Sequence, residues 1–264
     1  MRLIILLGLF AVALGCKSVI RALFYPPEVE MVGGLGPDVA GNSFDHSAFS
    51  VLLARHVDAN GLVSYGGFSA DQKELDAYLQ AVATTRAENL GRYEALAFYI
   101  NAYNALTIRL ILDHPKVKSI RDIPENRRWK GRTWPVAGER LTLDEIEHKI
   151  IRPIFKENRI HFALVCASIG CPPLRNEAYT GARLIAQLEE QTRKFFADSQ
   201  NLKWDAATTT LWVSSILDWY AGDFGDELQL KTFISGYTPN SVSASLPGNI
   251  TVRFLSYNWN LNKR

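Results

Sequence analysis

His161-Phe-Ala-Leu-Val-Cys166-Ala-Ser168-Ile-Gly170-Cys171-Pro172-Pro173-Leu174 is the stretch whose reading decides the fold. Residues 162–165 form a short, unbroken apolar run, which predicts a buried strand. The small residues, Gly170 and the proline pair that follow cannot continue a ladder, so the strand is expected to end in a loop. Two of the three cysteines flank that loop, and a histidine stands at the start of the strand. A reactive group on a loop held by a rigid element is a common layout for a functional site.

On the N-terminal side of this stretch, residues 92–113 read as the longest helix, ending where His114-Pro115 disfavours it. Helical spacing sets Ala97, Asn101, Asn104 and Ile108 on one face. Two amides in so apolar a helix need buried partners, which makes Asn101 and Asn104 candidates for holding neighbouring loops or for a direct catalytic role. Further helices are expected over 47–57 and 71–82, with a short strand at 62–65 after the Asp58-Ala-Asn-Gly61 turn signal. Residues 133–136 and 139–141 suit a hairpin around Ala137-Gly138. Thr142-Leu-Asp-Glu145 reads as a capping box that starts a helix carrying Glu147 and His148, with Pro153 near its end.

On the C-terminal side, Thr180 is placed to cap an amphipathic helix running to about Ser199. Residues 202–204 and 210–213 suit a second hairpin, 215–220 and 226–234 helices, and 251–255 a closing strand. Helices and short strands alternate without regular βαβ units. The expected class is therefore α+β, a single domain with helices packed on a small mixed or antiparallel sheet.

The chain has 264 residues, 47% apolar and 21% charged, with a net charge of +2. That is ordinary globular composition, and no strongly basic total points to nucleic acid. Residues 1–15 differ from the rest. A short positive start precedes an almost wholly apolar run over 3–14, about the length of a signal-peptide core. Gly15-Cys16 then resembles a bacterial lipoprotein signal, in which cleavage precedes a cysteine that becomes lipidated. Residues 16–44, rich in Gly and Pro, are expected to be a tether, and the globular domain to occupy 45–262. These features predict a protein of the bacterial cell envelope, lipid-anchored through Cys16 and facing the periplasm, with an envelope partner or substrate.

The chemistry of the central stretch has three readings. Cys166 is a nucleophile activated by His161; on an ideal strand, though, positions 161 and 166 point to opposite faces, which leaves His148 and His56 as the other candidate histidines. Alternatively, Cys166 and Cys171 form a disulfide, closing a C-x4-C loop too short to contribute much entropy. Thirdly, Cys166, Cys171 and His161, with Glu147 or His148, bind a metal such as zinc, although their spacing matches no usual zinc pattern. No metal and no cofactor is therefore expected. Over 125–134, Arg127, Arg128, Lys130 and Arg132 alternate with two tryptophans; Arg128 and Arg132 are the candidates for contacting an acidic ligand or partner.

Several of these motifs, taken in order, resemble the "domain of unknown function 547" family. They are Phe98-Tyr-Ile-Asn101-Ala-Tyr-Asn104, Leu143-Asp-Glu-Ile-Glu147-His148, the stretch from Arg159 to Leu174, Ile216-Leu-Asp-Trp219-Tyr220-Ala-Gly-Asp223-Phe224, and Ser256-Tyr257-Asn258-Trp259. The family's ending more often reads Tyr-Asp-Trp, so Asn258 departs from it. The resemblance implies no settled activity. It implies a module used both in exported bacterial proteins and in plant proteins attached to leucine-zipper segments, which weighs against an obligatory disulfide. A remoter likeness to transglutaminase and papain-like folds would make His161 the sheet histidine, and would put Asn101 and Asn104 where the nucleophile-bearing helix belongs. On these grounds His161, Cys166, Asn101, Asn104 and Glu147 are the candidate catalytic set, for a thiol-dependent hydrolase or acyl transferase. The alternatives are a non-catalytic envelope-binding module and a thiol redox or structural metal site.

Overall fold

A computed structural model describes residues 29, 31, 34–243 and 250–264. The expected signal peptide and Cys16 lie outside the described residues. Helices dominate, with two small sheets, and the chain is a single α+β domain. Helix α1 (Ser47–His56) packs on α2 (Tyr65–Ala70) and α3 (Gln72–Thr84), and these two pack on α4 (Arg92–Leu112). Helix α4 is buried on nearly every side. It is long and apolar enough to cross a bilayer, yet it is the core helix of this domain. A helix apolar all round is stable only when fully surrounded, and α4 meets that condition inside the protein.

The hairpin of β1 (Thr133–Val136) and β2 (Glu139–Thr142) forms as expected. Ala137 and Gly138 both take positive φ, the backbone of the tight turn that suits the right-handed strand twist. The turn docks on the end of α3, where Ala137 N–H donates to Val82 O and Gly138 N–H to Ala83 O. The capping box is also present: Glu145 N–H donates to Thr142 Oγ1 and Thr142 N–H to the Glu145 carboxylate. One α-turn, Leu143–Glu145, then widens into a π-helix, Ile146–Phe155. Pro153 supplies a reason. It has no N–H to give, and in α geometry its ring would strike the carbonyl four residues back.

Helix α5 (Leu184–Ala197) precedes a three-stranded sheet in which β4 (Thr210–Val213) is central. Its neighbours are β3 (Leu202–Asp205), antiparallel, and β5 (Thr251–Phe254), parallel. Short α6 (Ile216–Trp219) and α7 (Glu227–Tyr237) cover one side of a second apolar cluster built on Phe195, Phe196, Leu211 and Leu217. Thr180 does not cap α5 with its side chain; its N–H is taken by Gln187 Oε1 at 3.0 Å.

Three expectations are corrected. The central run is not a strand. Residues Asn158–Phe162 form a 3-10 turn and 163–165 are irregular. The run is apolar because it lies at the seam between the two clusters: Phe162 packs into the second while Ala163, Leu164 and Val165 belong to the first. The strand at 62–65 reduces to isolated bridges at Val63, with α2 starting at Tyr65. Finally, 35–44 is docked rather than a free tether. Leu35 is buried, Phe44 meets the edges of the Tyr78 and Phe98 rings, and Asn42 bridges to Leu90.

Candidate functional site

The cysteine loop is fixed from two sides. From beneath, Asn104 of α4 acts like a piece of backbone: its Nδ2 donates to Ala163 O at 3.0 Å and its Oδ1 accepts from Val165 N–H at 2.9 Å. Asn101 does the same with both backbone groups of Tyr179, at 2.8 and 3.0 Å. Each pair satisfies a buried amide whose loss would cost about 1–3 kcal/mol. Neither asparagine, expected among the catalytic residues, lines the cavity described below; both side chains are spent on loop backbone. From above, the C-terminal segment clamps the loop. Ile169 N–H donates to Asn260 O, Gly170 N–H to Asn258 O, and Asn262 N–H to Ala167 O.

Ala167, between the anchors, has φ 61°, a left-handed conformation that costs a non-glycine residue about 1–2 kcal/mol. That turn carries both sulfurs to one place. Cys166 and Cys171 are free thiols, and no bridge joins them. The Tyr257 hydroxyl lies 3.2 Å from Cys166 Sγ and 3.1 Å from Cys171 Sγ. Cys166 N–H donates to Cys171 Sγ at 3.0 Å. Gly170 permits this approach, since a Cβ there would sit 2.9 Å from the Tyr257 ring.

The two thiols are not equivalent. Burial pushes the Cys171 thiol up, but the donors from Cys166, Tyr257 and the backbone outweigh it and hold the thiol below its ordinary range. Cys166 is pushed well up, by its hydrogen bond to the Cys171 sulfur and by burial. Tyr257 is also raised, by burial and then by the neighbouring sulfurs, so its hydroxyl keeps its proton and stays a donor. Cys171 is therefore the better-stabilised thiolate of the two.

Both sulfurs open into a cavity of about 790 Å³ that is also lined by Glu147, His161 and Tyr220. With no strand over 162–165, positions 161 and 166 face the same space. The expected His161–Cys166 pair is nevertheless not made. His161 Nε2 lies 2.8 Å from Asp223 Oδ2, and its ring packs at a tilt against Tyr220 with centroids 4.0 Å apart. Arg152 clamps the same carboxylate through Nε at 2.7 Å and Nη2 at 2.5 Å, and its Nη1 donates to His148 Nδ1 at 2.9 Å. Burial alone would raise the Asp223 carboxyl, but the His161 and Arg152 hydrogen bonds outweigh it and hold it below the usual carboxylate range. An ionised Asp223 can only accept, so His161 Nε2 carries the proton. Burial lowers the His161 pKa despite that partner, leaving a neutral ring with Nδ1 unprotonated. Glu147 accepts from the Tyr220 hydroxyl at 2.5 Å. The π-helix makes this wall possible: Glu147 and Arg152 stand five residues apart, one turn of its wider spiral, and enter the same network.

The cavity mouth carries Arg121 over the Trp259 ring at 5.2 Å and Arg128 over Trp129 at 4.9 Å. Lys130 and Glu125 share this rim, and Lys130 faces Asp144 at 3.8 Å. Arg132, expected beside Arg128, lies elsewhere: it pairs with Asp113 at 2.6 Å and covers Trp134. Among the described residues, no group of three or more His, Cys, Asp or Glu is placed to hold a metal ion. Asp223 and Tyr257 are missing from the candidates read from the residues. Their one signal in the sequence is their place in the family-like motifs at 216–224 and 256–259.

The fold and site together define a single α+β domain with a dithiol cavity. Residues 87–196 match the family model described as "Protein of unknown function, DUF547". The matched segment holds Asn101, Asn104, Glu147, His161 and both cysteines, while Tyr220, Asp223 and Tyr257 lie beyond it. No curated protein and no solved structure matches the chain.

Proposed function

We propose that this cavity is the active site of a thiol-dependent acyl transferase or hydrolase, with Cys171 as the attacking sulfur. One observation carries the reading: Cys171 Sγ lies between a backbone N–H and a tyrosine O–H on the wall of a cavity that also holds a neutral histidine. In the first step the Cys171 thiolate attacks the acyl carbon, a carbon–sulfur bond forms and the leaving group departs with its electron pair. In the second, His161 Nδ1 takes a proton from water or an acceptor, whose oxygen or nitrogen attacks the thioester and returns the thiolate. Asp223 and Arg152 hold His161 in the tautomer this requires.

p-Nitrophenyl acetate tests this. The expected result is a burst of p-nitrophenolate and an acetyl group found on Cys171 by peptide mass analysis. Cys171→Ser abolishes the burst, and His161→Gln leaves it while slowing turnover. An acetyl group on another residue, or a full burst in Cys171→Ser, overturns the assignment.

The same protein is proposed to act at the bacterial cell envelope, lipid-anchored through Cys16. The apolar run over 3–14 and the Gly15-Cys16 junction support this. In bacterial cells, the mature protein is expected to begin at Cys16 and to carry acyl mass on that residue by peptide mass analysis. A Cys16 without added lipid would sink the lipid anchor.

A further inference from the structure

We propose that Cys166 and Cys171 also carry out thiol–disulfide exchange with a small, negatively charged disulfide. The inference rests on the reading of Cys171 as the attacking sulfur and adds a role for Cys166, which acyl transfer leaves unused. Three features of the cavity point the same way.

The first is the pairing of the sulfurs. The Cys166 N–H donates to Cys171 Sγ, and the two sulfurs share the Tyr257 hydroxyl. One sulfur is stabilised as the attacker while the other is held protonated beside it, ready to attack second. The second is access. Cys171 is only 4% exposed and meets solvent along the cavity, so a disulfide on a folded protein surface cannot reach it, whereas a small molecule can enter about 790 Å³. The third is charge at the mouth. Arg128 Nη1 donates to Arg121 O at 3.3 Å, but its Nε is buried with no acceptor among the described residues. Around the whole cavity Arg121, Arg128 and Lys130 face Glu125, Asp144 and Glu147, but Lys130 is engaged by Asp144 and Glu147 by the Tyr220 hydroxyl, which leaves two arginines against Glu125. Arginine forks of this kind recognise carboxylates.

The exchange balances as follows. Cys171 thiolate attacks one sulfur of R–S–S–R; a bond joins Cys171 to RS, and the other half leaves as RS⁻ and takes up a proton. Cys166 then loses its proton and its sulfur attacks Cys171 Sγ. The Cys166–Cys171 bond forms and the second RS⁻ leaves. The protein has lost two hydrogens and the disulfide has gained them. The loop allows closure, since Cys171 N–H already turns back to Ser168 O.

The reduced full chain is mixed separately with glutathione disulfide (anionic), hydroxyethyl disulfide (neutral) and cystamine (cationic), and followed by intact mass and peptide mapping. Glutathione disulfide is expected to give the Cys166–Cys171 bridge without an adduct, about tenfold faster than cystamine at low salt. Arg128→Ala shrinks that difference. Cys166→Ser stops at a stable mixed disulfide on Cys171. A rate with cystamine equal to that with glutathione disulfide overturns the proposal, and so does the absence of a bridge. Wild-type mapping needs no variant, which protects the test from a misfolded mutant. Acetylation measured on the same sample separates the failures: acetylation of Cys171 without a bridge sinks the exchange alone, whereas an inert Cys171 sinks both readings.

Discussion

Among the described residues, the Tyr257 hydroxyl is the group that hydrogen-bonds to both sulfurs. Tyr257→Phe removes it while keeping the ring packed on Trp219 and Trp259. A hydrogen bond to a charged acceptor contributes about 1.5–3 kcal/mol, equivalent to about one to two pKa units on the thiol that loses it. The pH midpoint of Cys171 alkylation by iodoacetamide is therefore expected to move upward by about one unit or more. The melting temperature should change little. An unmoved midpoint would show that the backbone donor from Cys166 suffices to hold the thiolate. Asn101 and Asn104 differ in kind. Each is spent on two backbone groups, so their truncation falls on stability and on the placing of the loop rather than on the chemistry.

Elements were legible where their signal is local. Helix α4 follows from its apolar length and the His114-Pro115 stop, the first hairpin from Ala137-Gly138, and the π-helix start from the Thr142–Glu145 capping box. The run at 162–165 misled because four apolar residues in a row fit any buried segment; burial at the seam of two clusters produces them as well as a strand does. The widening to a π-helix was unreadable, because Pro153 signals an interruption without saying which form it takes. The site was half legible for the same reason. His161 and Cys166 are legible because they stand five positions apart, and Glu147 because it lies on the helix that the capping box starts; all three line the cavity. Asp223 stands 62 residues from His161, and Tyr257 stands 86 from Cys171, so their roles appear only once the chain is folded. Arg132 was grouped with Arg128 by proximity in sequence, although the chain turns between them and sends it to Asp113.

At the scale of the molecule, the Arg152–Asp223–His161 group is a charged knot set among buried surfaces. It links stability to pH with a definite sign. Burial places the folded His161 pKa below its ordinary value of 6.5, so in acid the unfolded chain takes up a proton that the folded one refuses. That stability is complete above 6.5 and is lost as pH falls from there towards the folded value. Asp223 acts in the same sense further down. Its folded pKa lies below the ordinary 3.8, so its contribution is present above 3.8 and is lost as pH falls below that value. Thermal melts should therefore fall in temperature between pH 7 and pH 5. His161→Gln, which keeps a donor for Asp223, should flatten that slope. An equally steep slope in the variant would show that another group titrates there.

The clamp over the cysteine loop has a consequence for how the protein is made. Tyr257 lies 91 residues downstream of Cys166, and Asn258, Asn260 and Asn262 hold the loop shut. During synthesis the two thiols leave the ribosome long before the residues that shelter them. For that interval they are exposed and able to pair wrongly with oxidants or other nascent chains. A chain exported unfolded meets the same interval a second time on the far side of the membrane. Its yield would then be governed less by the stability of the finished domain than by how quickly its last strap closes.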